Sequence, residues 1–126
     1  MSGKTILYVE DNEFNLKMVR QLLARTSYRL IEATDGEHAM RLLLGDDAPQ
    51  VSLILIDLVL PGMSGQELHA LLKSDSRLAR IPVILTSAGR PNGAENEVET
   101  MWLAKPFDAT RLLSLVKERC TMMGSE

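Results

Sequence analysis

The stretch SLILIDLVLPGMSG, residues 52–65, runs through four branched aliphatics, Leu53 to Ile56, and then sets an acid, Asp57, where the apolar run stops. An unbroken apolar run of this length suits a strand covered on both faces, since a strand with one wet face alternates. Leu60-Pro61-Gly62 then reads as a turn, and Ser64-Gly65-Gln66-Glu67 as a capping box that opens a helix. A strand, a turn and a helix follow one another, with a carboxylate at the strand's end.

Four further apolar runs flank this one: Ile6-Leu7-Tyr8-Val9, Leu30-Ile31, Val83-Ile84-Leu85 and Trp102-Leu103-Ala104. Between them apolar residues recur at helical spacing, as Leu16, Val19 and Leu23; Ala39, Leu42 and Leu43; Leu68, Leu71 and Leu72; and Leu112, Leu115 and Val116. Asp35 before Gly36, and Asp108 after the Pro106 break, mark two more helix starts. The segment between Thr86 and Met101 is different. Pro91 and Gly93 break it and Val98 is its one core anchor, so a helix there spans about two turns at most, from roughly Ala94 to Thr100. Alternating strands and helices with connections of this length imply parallel strands and right-handed crossovers, an α/β doubly wound (βα)5 sheet.

The chain of 126 residues fits one domain, 1–126, with a core over about 4–120 and a short tail at 121–126. Its net charge of -3, with no run of Lys or Arg, argues against direct nucleic-acid binding, which needs a positive footprint. The longest apolar stretch, Val51 to Leu60, is too short to span a bilayer and carries Asp57, which argues against a membrane role. No charged-then-apolar leader opens the chain, so the expected location is cytoplasmic. The single cysteine, Cys120, cannot form an internal disulfide; at helical spacing with Leu113 and Val116 it reads as a buried, inert thiol.

In open parallel sheets, ligands bind beyond the carboxyl ends of the strands. Glu10-Asp11 follow the first run, Asp57 the third, Ser87 the fourth and Lys105-Pro106 the fifth. Taken singly, each has a plainer reading: a helix cap for Glu10-Asp11-Asn12, a turn acid for Asp57, a loop serine for Ser87, a surface lysine for Lys105. Their shared position at one end of successive runs favours a site. Three carboxylates in a partly dry crevice repel, and Lys105 brings one positive charge. Hard oxygen ligands without His or Cys favour Mg2+, which leaves positions for a phosphoryl group. Lys105 could pair with a phosphoryl oxygen and the Ser87 hydroxyl donate to another, leaving Asp57 as a carboxylate nucleophile. His38 and His69 lie on predicted helices without ligand spacing and read as surface residues. Glu95, Glu97 and Glu99 read as a solvated face.

The segments ILYVEDNEFN, ILIDLVLPGMSG, VILTS and AKPF, in this order, closely resemble the receiver domain of bacterial two-component response regulators. The resemblance covers residues 4 to about 120. It implies a flavodoxin-like three-layer sandwich whose five parallel strands run in the order 2-1-3-4-5. It also makes Asp57 the phosphoacceptor, Asp11 a direct Mg2+ ligand beside Asp57, Glu10 a ligand through water, and the backbone carbonyl of Val59 a further metal contact. Ser87 matches the family's switch Ser/Thr, Lys105 its invariant lysine and Trp102 its switch aromatic. Such a module takes part in its own phosphoryl transfer but is otherwise not an enzyme. The resemblance implies a sensor histidine kinase or a histidine phosphotransfer protein as phosphate source, and a downstream protein partner. Residues Asp11 to Asn15 also look like receivers of hybrid kinases and of stand-alone phosphorelay proteins. No output domain follows Phe107, so output is expected by protein contact or onward phosphotransfer, unless the receiver is cut from a longer kinase; oligomeric state is left open.

This sequence departs from the family in two places. Ser87 to Lys105 is a few residues shorter than usual, and Trp102 stands where Tyr or Phe is commoner, so that an edge-strand aromatic is the alternative to a switch. Three rival functions have different requirements. A phosphatase of the haloacid-dehalogenase type needs a second acid two places after Asp57, where Val59 stands. An FMN binder needs a hydroxyl- and glycine-rich loop after the first strand, where Glu10-Asp11 would repel phosphate. A receiver-fold adaptor that is never phosphorylated has no need of the acids, serine and lysine present here.

Overall fold

The structure, a computed structural model, describes residues 4–87, 101–104 and 109–123, with the backbone alone at 101–104, 109 and 120–123. Five strands and four helices occur among these residues: β1 Thr5–Val9, α1 Glu13–Leu23, β2 Arg29–Ala33, α2 Gly36–Leu44, β3 Leu53–Asp57, α3 Gly65–Ser74, β4 Val83–Ser87, β5 Met101–Ala104 and α4 Ala109–Met123. Every pairing is parallel, and the strand order is β2-β1-β3-β4-β5, as expected. The short helix expected between Ala94 and Thr100, and the Glu95, Glu97 and Glu99 face, lie outside the described residues. Helix α4 continues to Met123, past the point where a tail was expected. None of the described helices is long and apolar enough to cross a membrane.

The period-2 alternation of the strands separates two cores. Leu7 and Val9 of β1, Ile54 and Ile56 of β3, and Val83 and Leu85 of β4 pack with Ala39 and Leu43 of α2 and Leu68 and Leu72 of α3. Their neighbours Ile6, Tyr8, Leu53, Leu55 and Ile84 pack on the other face with Leu16, Val19 and Leu23 of α1 and Leu112, Leu115 and Val116 of α4. The result is three layers with the sheet in the middle. All five residues of β3 are buried, which is why that segment reads as a continuous apolar run. Edge strand β2 extends beyond Leu30-Ile31 to include exposed Arg29 and half-buried Glu32. Glu32 accepts two hydrogen bonds from Arg20 of α1, with 2.9 Å between Nη2 and Oε1, which ties the edge strand to its crossover helix.

Polar caps fix where the helices begin. Asn12 caps α1, its Oδ1 accepting the Asn15 N–H at 3.0 Å, and Asp35 caps α2 by accepting the His38 N–H at 2.7 Å. At α3 the capping box closes in both directions, the Glu67 N–H donating to Ser64 Oγ at 3.1 Å and the Ser64 N–H to Glu67 Oε1 at 2.8 Å. Asp108, the cap expected for α4, lies outside the described residues. His38 and His69 are half-buried rather than fully on the surface. His38 lies in the first turn of α2, where its Nδ1 accepts the N–H of Thr34 in the β2–α2 connection at 3.3 Å; a local backbone tie of this kind leaves no ligand pattern in a sequence. Cys120 lies in α4, but its side chain is outside the described residues.

Candidate functional site

Register brings distant acids together. Val9, the last residue of β1, pairs with Ile56 of β3, so the next residues along the two chains, Glu10 and Asp57, reach the same edge of the sheet. Backbone bonds extend the ladders to that point: the Glu10 N–H donates to Ala33 O at 2.9 Å and the Leu58 N–H to Thr86 O at 2.8 Å. Glu10, Asp11 and Asp57 each place a carboxylate oxygen within 4.8 Å of the others. Glu10 is 1% exposed and Asp57 5%, whereas Asp11 is exposed. Asn12 caps the helix, as the plain reading of Glu10-Asp11-Asn12 has it, while the two acids lie beside Asp57.

Two buried carboxylates about 5 Å apart repel by roughly 3 kcal/mol at an effective dielectric of about 20. Such a pair persists when each acid finds donors or a cation. Glu10 has donors on both oxygens: the Tyr8 hydroxyl donates to Oε1 at 2.9 Å and the Asn12 N–H to Oε2 at 3.1 Å. Burial pushes the Tyr8 phenol pKa well above its ordinary value, and the Glu10 charge, its hydrogen bond and the Asp57 charge push it the same way. The phenol therefore remains a donor. The site is a set of hard oxygen ligands, two of them buried, with neither His nor Cys in the cluster. That donor set fits a small divalent cation of the Mg2+ or Mn2+ kind.

The remaining predicted residues fall into two groups. Ser87 closes β4, is 8% exposed, and pairs with Ala104 of β5, so it stands at the same carboxyl edge as Asp57. Val59, two residues past Asp57, is 76% exposed in the β3–α3 loop. The backbone of Trp102 lies within β5, paired with Leu85. The Trp102 side chain and all of Lys105 are outside the described residues.

Sequence reasoning missed two contributors. Tyr8 reads as one of the apolar residues of β1, although a phenol two places before Glu10 in extended chain lies on the same side as that acid. In the sequence Gly65 reads only as part of a capping box. A Cβ built there would meet backbone: 2.4 Å from the Asp57 carbonyl oxygen and 2.8 Å from Leu58 Cα. The Gly65 N–H also donates to Leu58 O at 2.9 Å, so α3 begins directly against the peptide that follows Asp57.

The family model described as the response regulator receiver domain matches residues 6–117. The chain belongs to that family. Among its relatives, the polar-differentiation response regulator DivK of Brucella anthropi is 34% identical over 118 residues, covering 90% of this chain and 94% of DivK. A crystal structure of the Mn(2+)-bound form of response regulator Rcp1 is 28% identical, covers 98% of this chain and 96% of its own, and superposes with a TM-score of 0.76. The receiver domain of sensor histidine kinase PA1611 from Pseudomonas aeruginosa PAO1, solved with magnesium coordinated in its active-site cleft, is 25% identical. It covers 94% of this chain and 98% of its own, with a TM-score of 0.78. The receiver is thus a phospho-accepting module of two-component signalling. This family membership disfavours the phosphatase and flavin-binding alternatives, in agreement with Val59 where the phosphatase needs an acid and with Glu10-Asp11 where a flavin phosphate would be repelled.

Proposed function

We propose that Asp57 is the residue of this receiver that accepts phosphate from the phosphohistidine of a sensor kinase or a histidine phosphotransfer protein. The observation that carries this is its placement: Asp57 ends the central strand, buried to 5%, with an oxygen within 4.8 Å of oxygens of Glu10 and Asp11. An oxygen of the Asp57 carboxylate attacks phosphorus, the P–N bond to the donor imidazole breaks, and its electron pair remains on the departing ring nitrogen. Asp57 thereby becomes an acyl phosphate.

The carboxylates suit Mg2+, which would be held by Asp11, Asp57 and the Val59 carbonyl, with Glu10 acting through water. Bound there, the cation would supply charge neutralisation for the phosphoryl oxygens and the neighbouring carboxylates. The metal-bound receivers Rcp1 and PA1611 support this reading. Ser87, at the end of β4, supplies a hydroxyl to a phosphoryl oxygen, and Lys105 is assigned its charge pairing by sequence alone. Ser87 and Trp102 form the switch pair in this reading. The 126 residues act as one domain in the cytoplasm, and the phosphorylated form acts on a downstream protein or passes its phosphate on. Nucleic acid and membrane are not direct partners.

Incubation with a small-molecule phosphodonor and Mg2+, followed by intact-mass measurement, tests the assignment. Wild type gains one acid-stable, base-labile phosphoryl group and Asp57→Asn gains none. Equal labelling of the two proteins, or none of either, overturns it.

A further inference from the structure

Tyr8 belongs to two environments at once. Its ring is fully buried in the core formed with Leu16 and Val19 of α1 and Leu112 and Leu115 of α4. Its hydroxyl emerges at the site and donates to Glu10 Oε1 at 2.9 Å. The other Glu10 oxygen accepts the N–H of Asn12, whose own side chain caps α1 through the Asn15 N–H. The Glu10 carboxylate is therefore clamped between a donor fixed by core packing and a donor fixed by a helix start. An acid that acts through water has no metal–oxygen bond of its own to orient it. Its usefulness depends on the groups that hold it, and such outer-shell partners commonly govern metal affinity by about tenfold or more.

We infer that Tyr8 is a positioning residue for the divalent metal: its hydroxyl fixes the Glu10 carboxylate as the acceptor for a metal-bound water. This rests on the reading of Glu10, Asp11 and Asp57 as the metal site. It adds a residue from inside β1 to that site and makes its outer shell a property of the α1/α4 core. The hydroxyl keeps one donor on Glu10 Oε1 and leaves a second lone pair of that oxygen for water.

The test is calorimetric titration of Mg2+ into wild type, Tyr8→Phe, Glu10→Gln and the double variant, with tyrosine difference absorbance recorded on the same samples. Tyr8→Phe retains the ring in the core, so the change is confined to one hydroxyl. The expected result is Mg2+ binding weakened about tenfold by Tyr8→Phe, with little further loss when the same change is made in Glu10→Gln. Mg2+ should also perturb a tyrosine band in wild type and in Tyr28→Phe, and not in Tyr8→Phe. Wild-type affinity in Tyr8→Phe, fully additive losses in the double variant, or no tyrosine perturbation in a wild type that binds Mg2+ overturns the inference while leaving the metal site standing. A wild type that binds no Mg2+ overturns both.

Discussion

Gly65 and Asp57 meet so closely that a Cβ on residue 65 would stand 2.4 Å from the Asp57 carbonyl oxygen. The obstacle is backbone on both sides, which cannot swing away as a side chain would. Gly62 is the only described residue with positive φ, so the requirement at 65 is steric rather than torsional. The start of α3 and the end of β3 thus share one position that only glycine permits.

Gly65→Ala is expected to push α3 away from β3 and to cost about 1–3 kcal/mol, the usual range for overpacking. Urea denaturation checks the stability. Because the displaced peptide is that of Asp57, labelling by a phosphodonor should slow in the same variant even under conditions where it is folded.

The two neighbouring acids should separate into different phenotypes. Asp11 is exposed, so Asp11→Ala should weaken Mg2+ binding strongly with little effect on stability. Glu10 is buried and accepts the Tyr8 hydroxyl and the Asn12 N–H. Glu10→Ala should weaken Mg2+ less and destabilise more, by about 1–3 kcal/mol, because a buried donor loses its acceptor. Paired Mg2+ titrations and denaturation curves check both rankings; a reversed metal ranking would mean that the two acids exchange roles.

Thr86 Oγ1 is buried and has no hydrogen-bond partner among the described residues. Thr86→Val replaces that hydroxyl with a methyl of nearly the same shape. Stability should rise by about 1 kcal/mol, read as a higher denaturation midpoint at unchanged slope. A loss of stability would show that the hydroxyl is satisfied in solution.

The Val59 side chain carries no polar group and is 76% exposed. A side chain able to orient an in-line water at this position speeds hydrolysis of an acyl phosphate. Val59→Asn should therefore shorten the lifetime of phosphorylated Asp57 while leaving stability within about 0.5 kcal/mol, as is usual for exposed positions. Phosphate release after donor removal measures it, and an unchanged or longer lifetime would show that residue 59 does not govern water access.

Strands β1, β3 and β4 were legible because both of their faces are covered, which turns a three-dimensional fact into an unbroken apolar run. Edge strand β2 was legible only at Leu30-Ile31, since Arg29 is exposed and Glu32 pairs with Arg20 across the layer. The acids were legible because they follow strands whose parallel order could be inferred. What stayed hidden depends on side-chain direction or on sub-ångström space. The Tyr8 hydroxyl is invisible in a run that counts tyrosine as apolar, and the Gly65 contact involves residues joined by a turn that fixes no distance in advance. The orphan hydroxyl of Thr86 is a statement about what surrounds an atom, which composition does not carry. The His38 ring's bond from the Thr34 N–H likewise follows from how α2 starts rather than from any spacing.

The bond from the Leu58 N–H to Thr86 O has a consequence for how information leaves this site. That amide belongs to the peptide joining Asp57 to Leu58, and it is tied into the middle of the sheet. Its proton should exchange with deuterium slowly, because release requires the end of β3 to part from β4. The peptide that follows Asp57 is therefore tied to the neighbouring strand. The expected response to a phosphoryl group there is movement of surrounding side chains and loops toward a residue whose backbone the sheet holds.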